Sequence, residues 1–427
     1  MNSNKNKCHF PRPRLAAIAL LLLLCATLAG AMDAGVILEE KFEALANNGN
    51  TAGIADGTAD VTPAWTQTAS PWLSYAHNEQ LSFLFSIDLT LEFSPQEHTT
   101  TVTPSYSGWR PLFQVNRFQT MWRPLPGLLL QAGRVPFHDP LAHIASGLFD
   151  GLTASLNRDR NSLDAALLFT GLQYKERAKV VMTEGDLQDY LDKDLYFAAN
   201  RLLVSTFWQS RSLGGWDNAL DAGALAQVDM RGGDGEKLHS QYLLGKFRFP
   251  VLTLIDITAG GIFGIKEQDS GSALSFMGSL DVGYALPGAV TDRLTVGGLF
   301  SSGVADRYVR PYFPVSAIAE GEVYTPTPSG LYTVKLMYEA NLVDTLYVNA
   351  AGRYFWRSTR DIIPGSAKTG ASEEDQLGLE LYGSTVWAPL SDLSFKVGGG
   401  VFFPDGPLKE VDTPVMWKLE VTATVSL

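Results

Sequence analysis

Strict alternation of apolar and polar residues is the feature that most constrains what this chain can fold into. From Leu81 to Phe93 every second residue is Leu, Phe or Ile, and most residues between them are polar. The chain closes on the same pattern, from Trp417 to Leu427. Successive side chains of a strand point to opposite faces, so these runs predict strands with one apolar face. Shorter runs repeat the pattern at residues 274–284, 332–342, 377–387 and 393–403.

Connection lengths decide between a soluble sandwich and a membrane barrel, because both architectures have one apolar face per strand. Here short and long connections alternate along the chain, as periplasmic turns and extracellular loops do in outer-membrane barrels. The sequence therefore predicts an all-β fold, a transmembrane antiparallel up-and-down barrel of about 18 strands. Sixteen strands is the alternative, because residues 69–76 and 128–135 are the weakest strand segments. Expected short turns lie at residues 77–79, 125–127, 158–161, 249–250, 343–344 and 389–392; expected long loops lie at 47–67, 94–108, 136–147, 172–193, 303–329, 358–374 and 404–414.

Composition excludes two other classes. Hydrophobic residues make up 45% of the chain and aromatic residues 11%, which is too much apolar material for a disordered protein. No apolar run after the first thirty residues is long enough for a membrane helix. Aromatic residues near the expected strand ends suit the girdles of a membrane barrel; they are Trp72, Trp109, Trp122, Trp208, Tyr284, Tyr332, Trp387 and Trp417.

The first segment has the pattern of a secretory signal peptide. Four basic residues precede an apolar run from Leu15 to Leu28, which ends in Ala29-Gly30-Ala31. Cleavage after Ala31 would leave residues 32–427 as the barrel domain, exported to the cell outer membrane. A lipoprotein signal acylated at Cys25 is the alternative, but Leu24 stands where such signals need a small residue.

Removal of the leader changes the charge and the thiol count. Taking its four basic residues from 33 leaves 29 against 45 acidic residues, a formal charge of −16. Nucleic acid is an unsuitable partner at that charge. Both cysteines, Cys8 and Cys25, are lost with the leader, which excludes disulfides and thiolate sites. The hydrolase elbow, zinc-protease and P-loop motifs are missing, so the sequence predicts no enzyme, no catalytic residue and no cofactor.

The alternation also assigns charged side chains to the interior. An unpaired charge on the lipid face destabilises a barrel, by about 2–4 kcal/mol for Lys or Arg at mid-bilayer and less for Asp or Glu. Charged residues opposite the apolar face are therefore predicted to line a pore. These are Asp88, Glu92, Asp281, Lys335, Glu339, Arg353, Arg357, Glu380, Lys396, Lys418 and Glu420.

The stretch from Arg117 to Leu156 resembles a known family. It reads RFQTMWRPLPGLLLQAGRVPFHDP and then SGLFDGLTASL, a strand, a Pro-Gly turn, a strand ending in Ala-Gly-Arg and a returning strand. This is similar to bacterial outer-membrane porins and alginate-export barrels. Alginate itself is not implied, because a polyanion suits a basic bore. The chain ends on Leu427, where many such barrels end on an aromatic residue.

The resemblance implies that loops fold into the bore and narrow it. Candidates for a constriction or selectivity loop are Arg134, His138, Asp139, His143, Arg307, Tyr308, Arg310 and Tyr312. His138, Asp139 and His143 could also bind a metal in principle, but their irregular setting favours a purely local role, and no metal site is predicted. An acidic group at residues 186–194, in a short helix-like segment, fits no calcium loop and is interpreted as a solvated helix face.

The leading hypothesis is a passive outer-membrane channel for small hydrophilic solutes, since a barrel of about 18 strands is too wide for side chains to fill. Its expected partners are outer-membrane lipids, those solutes and the barrel-assembly machinery, with a monomer or a trimer as the assembled form. Two alternatives stay open: a transporter of hydrophobic substrates, and an adhesin or structural barrel with binding loops.

Overall fold

The computed structural model describes residues 32–46, 61–94, 108–178, 180–192, 194–212, 219–232, 237–268, 271–288, 290–304, 308–316, 318–361, 363–364, 373–410 and 413–427. The predicted leader, residues 1–31, lies outside them. The strands are β1 Met32–Ala46, β2 Val61–Ala76, β3 Leu81–Ser94, β4 Gly108–Leu125, β5 Leu128–His138, β6 Ser146–Arg158, β7 Asn161–Phe169, β8 Arg201–Ser210, β9 Ala219–Asp229, β10 Leu238–Leu252, β11 Ile255–Gln268, β12 Gly271–Ala285, β13 Thr291–Ser301, β14 Leu331–Val343, β15 Leu346–Arg357, β16 Gln376–Leu390, β17 Leu393–Pro404 and β18 Met416–Ser426. Three short helices are α1 Lys175–Ala178, α2 Glu184–Leu191 and α3 Gly406–Glu410.

The 18 strands form one closed antiparallel sheet in which each strand pairs with its neighbours in sequence. The barrel closes where β1 pairs with β18, from Ile37↔Ser426 to Ala46↔Trp417. At this closure Val36 and Leu427 exchange two backbone hydrogen bonds of 2.9 Å. Closure pairs the two strand edges that an open sheet would leave unpaired. The predicted strand number of 18 is confirmed.

The two ends of the barrel differ in their connections. Residue 32, residue 427 and the short turns lie at one end, called here the turn end. The opposite loop end carries the long connections, including residues 139–145, 170–200 and 302–330. Within the described residues no helix has the length and apolar character needed to span a membrane.

The alternation of apolar and polar residues in the sequence gives the barrel wall an apolar outer face and a polar inner face. Outward residues include large exposed side chains such as Phe85, Leu243 and Leu280, which are 41%, 62% and 52% exposed. The opposite face is the interior, because contacts between distant strands pass through it: Lys246 of β10 donates from Nζ to the Pro140 carbonyl, just after β5, at 2.9 Å. An apolar outside and a polar inside are the arrangement that a barrel in lipid requires.

Several sequence predictions on local structure need correction. The turn expected at residues 249–250 lies at 253–254, because β10 continues to Leu252 through a register shift after Pro250. Proline lacks the N–H of a ladder bond and is tolerated at such an irregularity. The first loop is shorter than expected, since β2 begins at Val61. Both weak segments are strands, in β2 and β5.

Most of the predicted girdle tryptophans are exposed on the outer wall, among them Trp109, Trp122 and Trp387 at 44%, 47% and 49%. Trp72 differs, since it lies on the inward parity of β2 and its indole covers Gly35 of β1. A Cβ at Gly35 would lie 2.7 Å from the indole nitrogen, so the absence of a side chain there admits the ring.

Candidate functional site

The connection between β5 and β6, residues 139–145, is organised by one buried carboxylate. Asp139 is fully buried and follows the last residue of β5. Its Oδ1 accepts the backbone N–H groups of Leu141 (3.0 Å) and His143 (3.4 Å), and its Oδ2 accepts those of Ile144 (2.8 Å) and Ala145 (2.9 Å). Hydrogen bonds to an ionised acceptor are stronger than neutral ones. Asp139 therefore fixes the shape of this loop.

This loop meets the connection between β13 and β14, residues 302–330, across the interior. Tyr312 donates its hydroxyl to the His143 carbonyl at 2.8 Å, and Val315 N donates to the Ile144 carbonyl at 2.7 Å. His143 Nδ1 lies 3.2 Å from Glu320 Oε1. The two connections start from strands eight positions apart around the barrel, so both fold into the lumen.

An apolar cluster, called cluster 1, fixes the loop pair to one side of the barrel. Tyr312 is fully buried in it, and burial raises the pKa of its phenol well above the ordinary value, so the hydroxyl stays a donor. Ile144 and Ala145 of the first loop and Val315 of the second also belong to it, and inward side chains of β5 to β13 supply the rest. The members are Val135, Phe137, Ile144, Ala145, Phe149, Ala166, Leu168, Leu203, Phe207, Leu225, Tyr242, Leu244, Ile262, Met277, Leu299, Tyr312 and Val315.

A second anchor holds the later part of the β13–β14 loop to β16. Glu380 is buried, and its carboxylate accepts the backbone N–H groups of Glu322, Val323 and Tyr324 at 2.8–3.1 Å. Arg353 of β15 donates from Nη1 to the same carboxylate at 2.8 Å. These bonds hold the later part of the loop against β16, beside β15.

Tyr324 then packs into a second apolar group, cluster 2. Its ring stacks on Phe402 of β17 with ring centroids 4.4 Å apart. Burial raises the pKa of the Tyr324 phenol above its usual range, which keeps the hydroxyl protonated. The members of cluster 2 are Val323, Tyr324, Leu331, Phe355, Ile363, Leu377, Tyr382, Phe402, Leu408 and Met416.

The wall from β1 to β4 contributes to neither cluster, and its inward side is polar. Asp88 accepts from Ser70 Oγ at 2.7 Å and from Asn116 Nδ2 at 3.0 Å. Glu92 pairs with Arg110 at 2.7 Å. The loop pair is thus attached to the other strands and leaves this stretch of wall without an apolar cover.

Charged residues of β17 and β18 continue the polar wall. Glu420 pairs with Lys418 at 3.2 Å and with Lys396, and it accepts the Tyr382 hydroxyl at 3.0 Å. On β1, Lys41 pairs with Glu43 at 2.5 Å. Each of these three lysines lies beside a carboxylate, so the wall from β17 to β4 presents both signs of charge.

Below the loop pair, towards the turn end, a cavity of about 590 Å³ opens beside β5 to β10. Its polar lining includes Asp164, Asp221, Gln209 and Lys246. Nearer the turn end of the other half, Lys335 pairs with Asp281 at 2.9 Å and Arg293 with Asp256 at 2.7 Å. Glu339 accepts the Tyr347 hydroxyl at 2.7 Å.

The acidic helix segment is not a solvated face. Asp186 of α2 is buried and pairs with Arg201 of β8 at 2.6 Å and with Arg231 at 3.1 Å. Asp229 of β9 pairs with the same two arginines at 3.0 and 2.8 Å. The hydrogen bond to Asp229 raises the pKa of Arg231 above its ordinary value. That interpretation was wrong for Asp186, because its partners, Arg201 of β8 and Arg231 just after β9, are distant in sequence and no local pattern reveals them.

Several residues predicted to form a constriction are brought together: Asp139, His143 and Tyr312 lie at the loop contact. Arg134 lies instead in the barrel wall, paired with Asp150 of β6 at 2.8 Å. His138 is the exposed last residue of β5. Tyr308 and Arg310 bond by their backbones to Leu274 of β12, and Arg307 lies outside the described residues. No group of potential metal ligands occurs in the described part of the chain.

The residues predicted to line a pore lie on inward strand positions, but Glu380 and Arg357 are buried there, and Glu380 is covered by the β13–β14 loop. Arg357 is buried at the loop end, where its guanidinium donates to the carbonyls of Arg360 (3.2 Å) and Glu374 (2.8 Å). Sequence reasoning missed Arg110, Lys246 and Glu320. Arg110 and Lys246 alternate with apolar residues in β4 and β10, so parity would have found them; Glu320 lies in an irregular loop and carries no such signal.

Comparison with solved structures identifies the fold. The chain superposes on the outer-membrane protein OprD of Pseudomonas aeruginosa with a TM-score of 0.57, 12% identity and coverage of 94% of this chain and 95% of that one. Pseudomonas aeruginosa OpdK, solved with vanillate, gives a TM-score of 0.58 at 9% identity, covering 93% and 98%. Acinetobacter baumannii OccAB3 gives 0.55 at 11% identity, covering 92% and 100%.

No protein-family model matches the chain, and no curated protein matches its sequence. The shared fold rests on TM-scores of 0.55–0.58, since the sequence identities are only 9–12%. The resemblance to an outer-membrane channel barrel, found in residues 117–156, is confirmed at that level.

Proposed function

We propose that residues 32–427 form an outer-membrane channel through which small hydrophilic solutes diffuse passively. The observation that carries this proposal is the position of the two inward loops. They narrow the lumen from the side of β5 to β16 and reach Phe402 of β17 and Met416 of β18 at the loop end, while the inward wall from β1 to β4 stays polar and charged. A narrow, water-lined passage selects solutes by size and by charge without a cofactor or an energy source.

Location in the outer membrane follows from the same wall. Apolar side chains cover the outside, and lipid tolerates a sheet only when its edges are closed. The solved barrels of this fold include the outer-membrane protein OprD. Export would use the leader of residues 1–31, and insertion would use the barrel-assembly machinery. Monomer and trimer are both compatible with this account.

Liposome swelling tests the proposal. Purified protein in liposomes is transferred into isotonic solutions of neutral sugars of increasing size, from a pentose to a trisaccharide. We expect rapid swelling with the pentose and slow swelling with the trisaccharide, because the loop pair occupies part of the lumen. Equal rates for all sugars would contradict a narrow passage, and no swelling with any of them would contradict a channel.

The charged wall supplies a second readout. Lys396→Gln together with Lys418→Gln leaves Glu420 without its two cations, so the reversal potential in a salt gradient should shift towards cation selectivity. The matched control is Lys409→Gln in α3, which lies on the exposed surface. An equal shift in both variants would place the selective charges elsewhere than on this wall.

A further inference from the structure

The wall of the barrel is interrupted between β4 and β5. Their ladder ends at Phe118↔Arg134, although β4 continues for ten more residues to Gly108 and remains paired with β3. Strand β5 also continues, to His138, paired with β6. Residues 108–117 and 135–138 therefore face each other at the loop end without a ladder, the gap called here the β4–β5 seam.

A bulge in β4 and a glycine in β5 bend the two strands apart at the position where their ladder ends. The β3–β4 register shifts where Ser86 pairs with Arg117 and Ile87 pairs with Val115, which leaves Asn116 as an extra residue of β4. On β5, Gly133 has a φ of +110°, and a Cβ there would lie 1.9 Å from the Phe118 carbonyl oxygen. Bulges and positive-φ glycines bend strands and end their pairing. The sequence thus builds the seam on both sides.

The extended β7–β8 hairpin fills the seam. Beyond the two strands the hairpin continues through an isolated bridge, Tyr174↔Phe197, and a bond from Lys175 N to the Tyr196 carbonyl at 3.0 Å. Tyr196 donates its hydroxyl to the Phe113 carbonyl of β4 at 2.8 Å. Side-chain hydrogen bonds stand here in place of a backbone ladder.

Arg134 ties the three parts together. Its Nη1 donates to the Val115 carbonyl of β4 at 2.6 Å, and its Nη2 to the Leu172 carbonyl of the hairpin at 2.9 Å. Its remaining donors bond Asp150 of β6. One side chain therefore joins β4, β6 and the hairpin across the seam.

Apart from the Arg134–Asp150 pair, which shares the outward face of Phe118, the outside of the seam is apolar, and its inside is charged. Phe113, Phe118, Leu172 and Phe197 are 56–66% exposed around its outer face. On the lumen side the hairpin leads into α1, where Glu176 accepts two bonds of 2.7 Å from Arg110. The hairpin thus joins the outer surface to the polar wall of the lumen.

We propose that the β4–β5 seam is a lateral portal through which single-chain amphiphiles pass between the lumen and the outer leaflet. The apolar chain contacts the aromatic residues outside, while the polar head enters beside Arg110 and Glu92. Backbone groups must be paired in lipid, so an intact ladder keeps a wall closed. Here the closure depends on a few side-chain bonds, which exchange without unfolding a strand. The inference rests on the proposed location of the barrel in a membrane.

Block of the aqueous current tests the portal. The probe is dodecylphosphocholine below its micellar concentration, and phosphocholine alone is the headgroup control. We expect the amphiphile to interrupt the wild-type current and the headgroup to leave it unchanged at the same concentration. Arg134→Gln removes the bridge, so the frequency of block should rise severalfold. Arg360→Gln breaks an Arg–Asp pair in the exposed connection after β15, away from the seam, and should not change it.

Equal block frequencies in wild type and Arg134→Gln, or equal block by phosphocholine, would overturn the portal. Tyr196→Phe removes only the bond to Phe113 and gives a milder variant in which the frequency should also rise. Amide hydrogen exchange of the protein in liposomes tests whether the β4–β5 ladder is interrupted, and it needs no current measurement. Peptides from residues 108–117 should exchange faster than those from 118–125, and faster still in Arg134→Gln. Uniform protection along β4 would contradict the seam, whereas absence of current would contradict only the channel.

Discussion

Single buried carboxylates fix the inward loops of this barrel. Asp139 and Glu380 each accept at least three backbone N–H groups from an irregular segment. Irregular backbone in an interior has no ladder to pair its polar groups, and an ionised side chain can satisfy several of them at once. The shape of the passage therefore depends on individual residues more than on the strands around it.

Asp139→Ala should widen the channel. Without its carboxylate, four buried N–H groups of the β5–β6 loop lose their acceptor, at a cost of about 1–3 kcal/mol for each group left unpaired. The loop should leave its place against Tyr312, and single-channel conductance should rise severalfold. Asp344→Ala, in an exposed turn at the opposite end, is the control. Identical conductance of both variants and wild type would show that this loop does not limit the passage.

Glu40 tests the assignment of faces. It lies between Leu38 and Phe42, both 40% exposed on the outer wall, with Gln67 Nε2 3.4 Å from its carboxylate. A carboxylate facing lipid destabilises a barrel, so Glu40→Leu should raise the free energy of unfolding in lipid by about 1–2 kcal/mol. Glu39→Leu places the same change on the inward face and should bring no gain. If urea unfolding shows the same change in stability for both variants, the assignment of Glu40 to the outer face and Glu39 to the inner face is contradicted.

The contact between Glu176 and Arg110 should depend on pH. Burial raises the pKa of Glu176, but hydrogen bonds from Arg110 and Tyr174 outweigh it and hold the pKa below the ordinary value of 4.5. A lowered carboxyl pKa stabilises the folded contact above the ordinary value, and the stabilisation is lost as the pH falls through the folded pKa. Current noise should therefore increase below pH 4.5. Glu176→Gln should be noisy at every pH, and an acid transition that persists in it would contradict this assignment.

Among the elements, strands were predictable and loops were not. Alternation of apolar and polar residues is a local signal, so β3 and β18 can be predicted directly from their own residues. The weaker β5 is predicted from the alternation of short and long connections around it. The contact between Tyr312 and His143 joins residues 169 positions apart, and no local pattern marks it. The position of Arg134 was equally hidden, because it depends on where the β4–β5 ladder stops.

The two inward loops can be joined covalently as a test of their contact. Ser146 N lies 3.1 Å from Ser316 Oγ, and residues 32–427 contain no cysteine. Ser146→Cys with Ser316→Cys should form a disulfide under oxidation. If the loops touch in the conducting state, the oxidised protein should keep its conductance and show fewer fluctuations. Loss of current on oxidation, restored by a reductant and absent from each single variant, would mean that the loops separate when the channel conducts.

At the scale of the whole molecule, the barrel combines a regular wall with an asymmetric interior. Apolar clusters fix the loops beside β5 to β18, and the polar wall near β1 to β4 remains uncovered. The net charge of −16 for residues 32–427 does not predict the charge of the lumen wall. There, carboxylates are paired with Lys and Arg side chains. Strand count and facing were thus accessible from sequence, while the route through the lumen required the loop contacts.

Single-channel conductance of refolded residues 32–427 in a planar bilayer tests the central claim most directly. Folding is verified first by a heat-dependent shift in electrophoretic mobility, which intact barrels show. The account predicts stable open steps whose conductance rises when Asp139 is replaced by Ala. Folded protein that produces no steps in wild type or in that variant would contradict the channel.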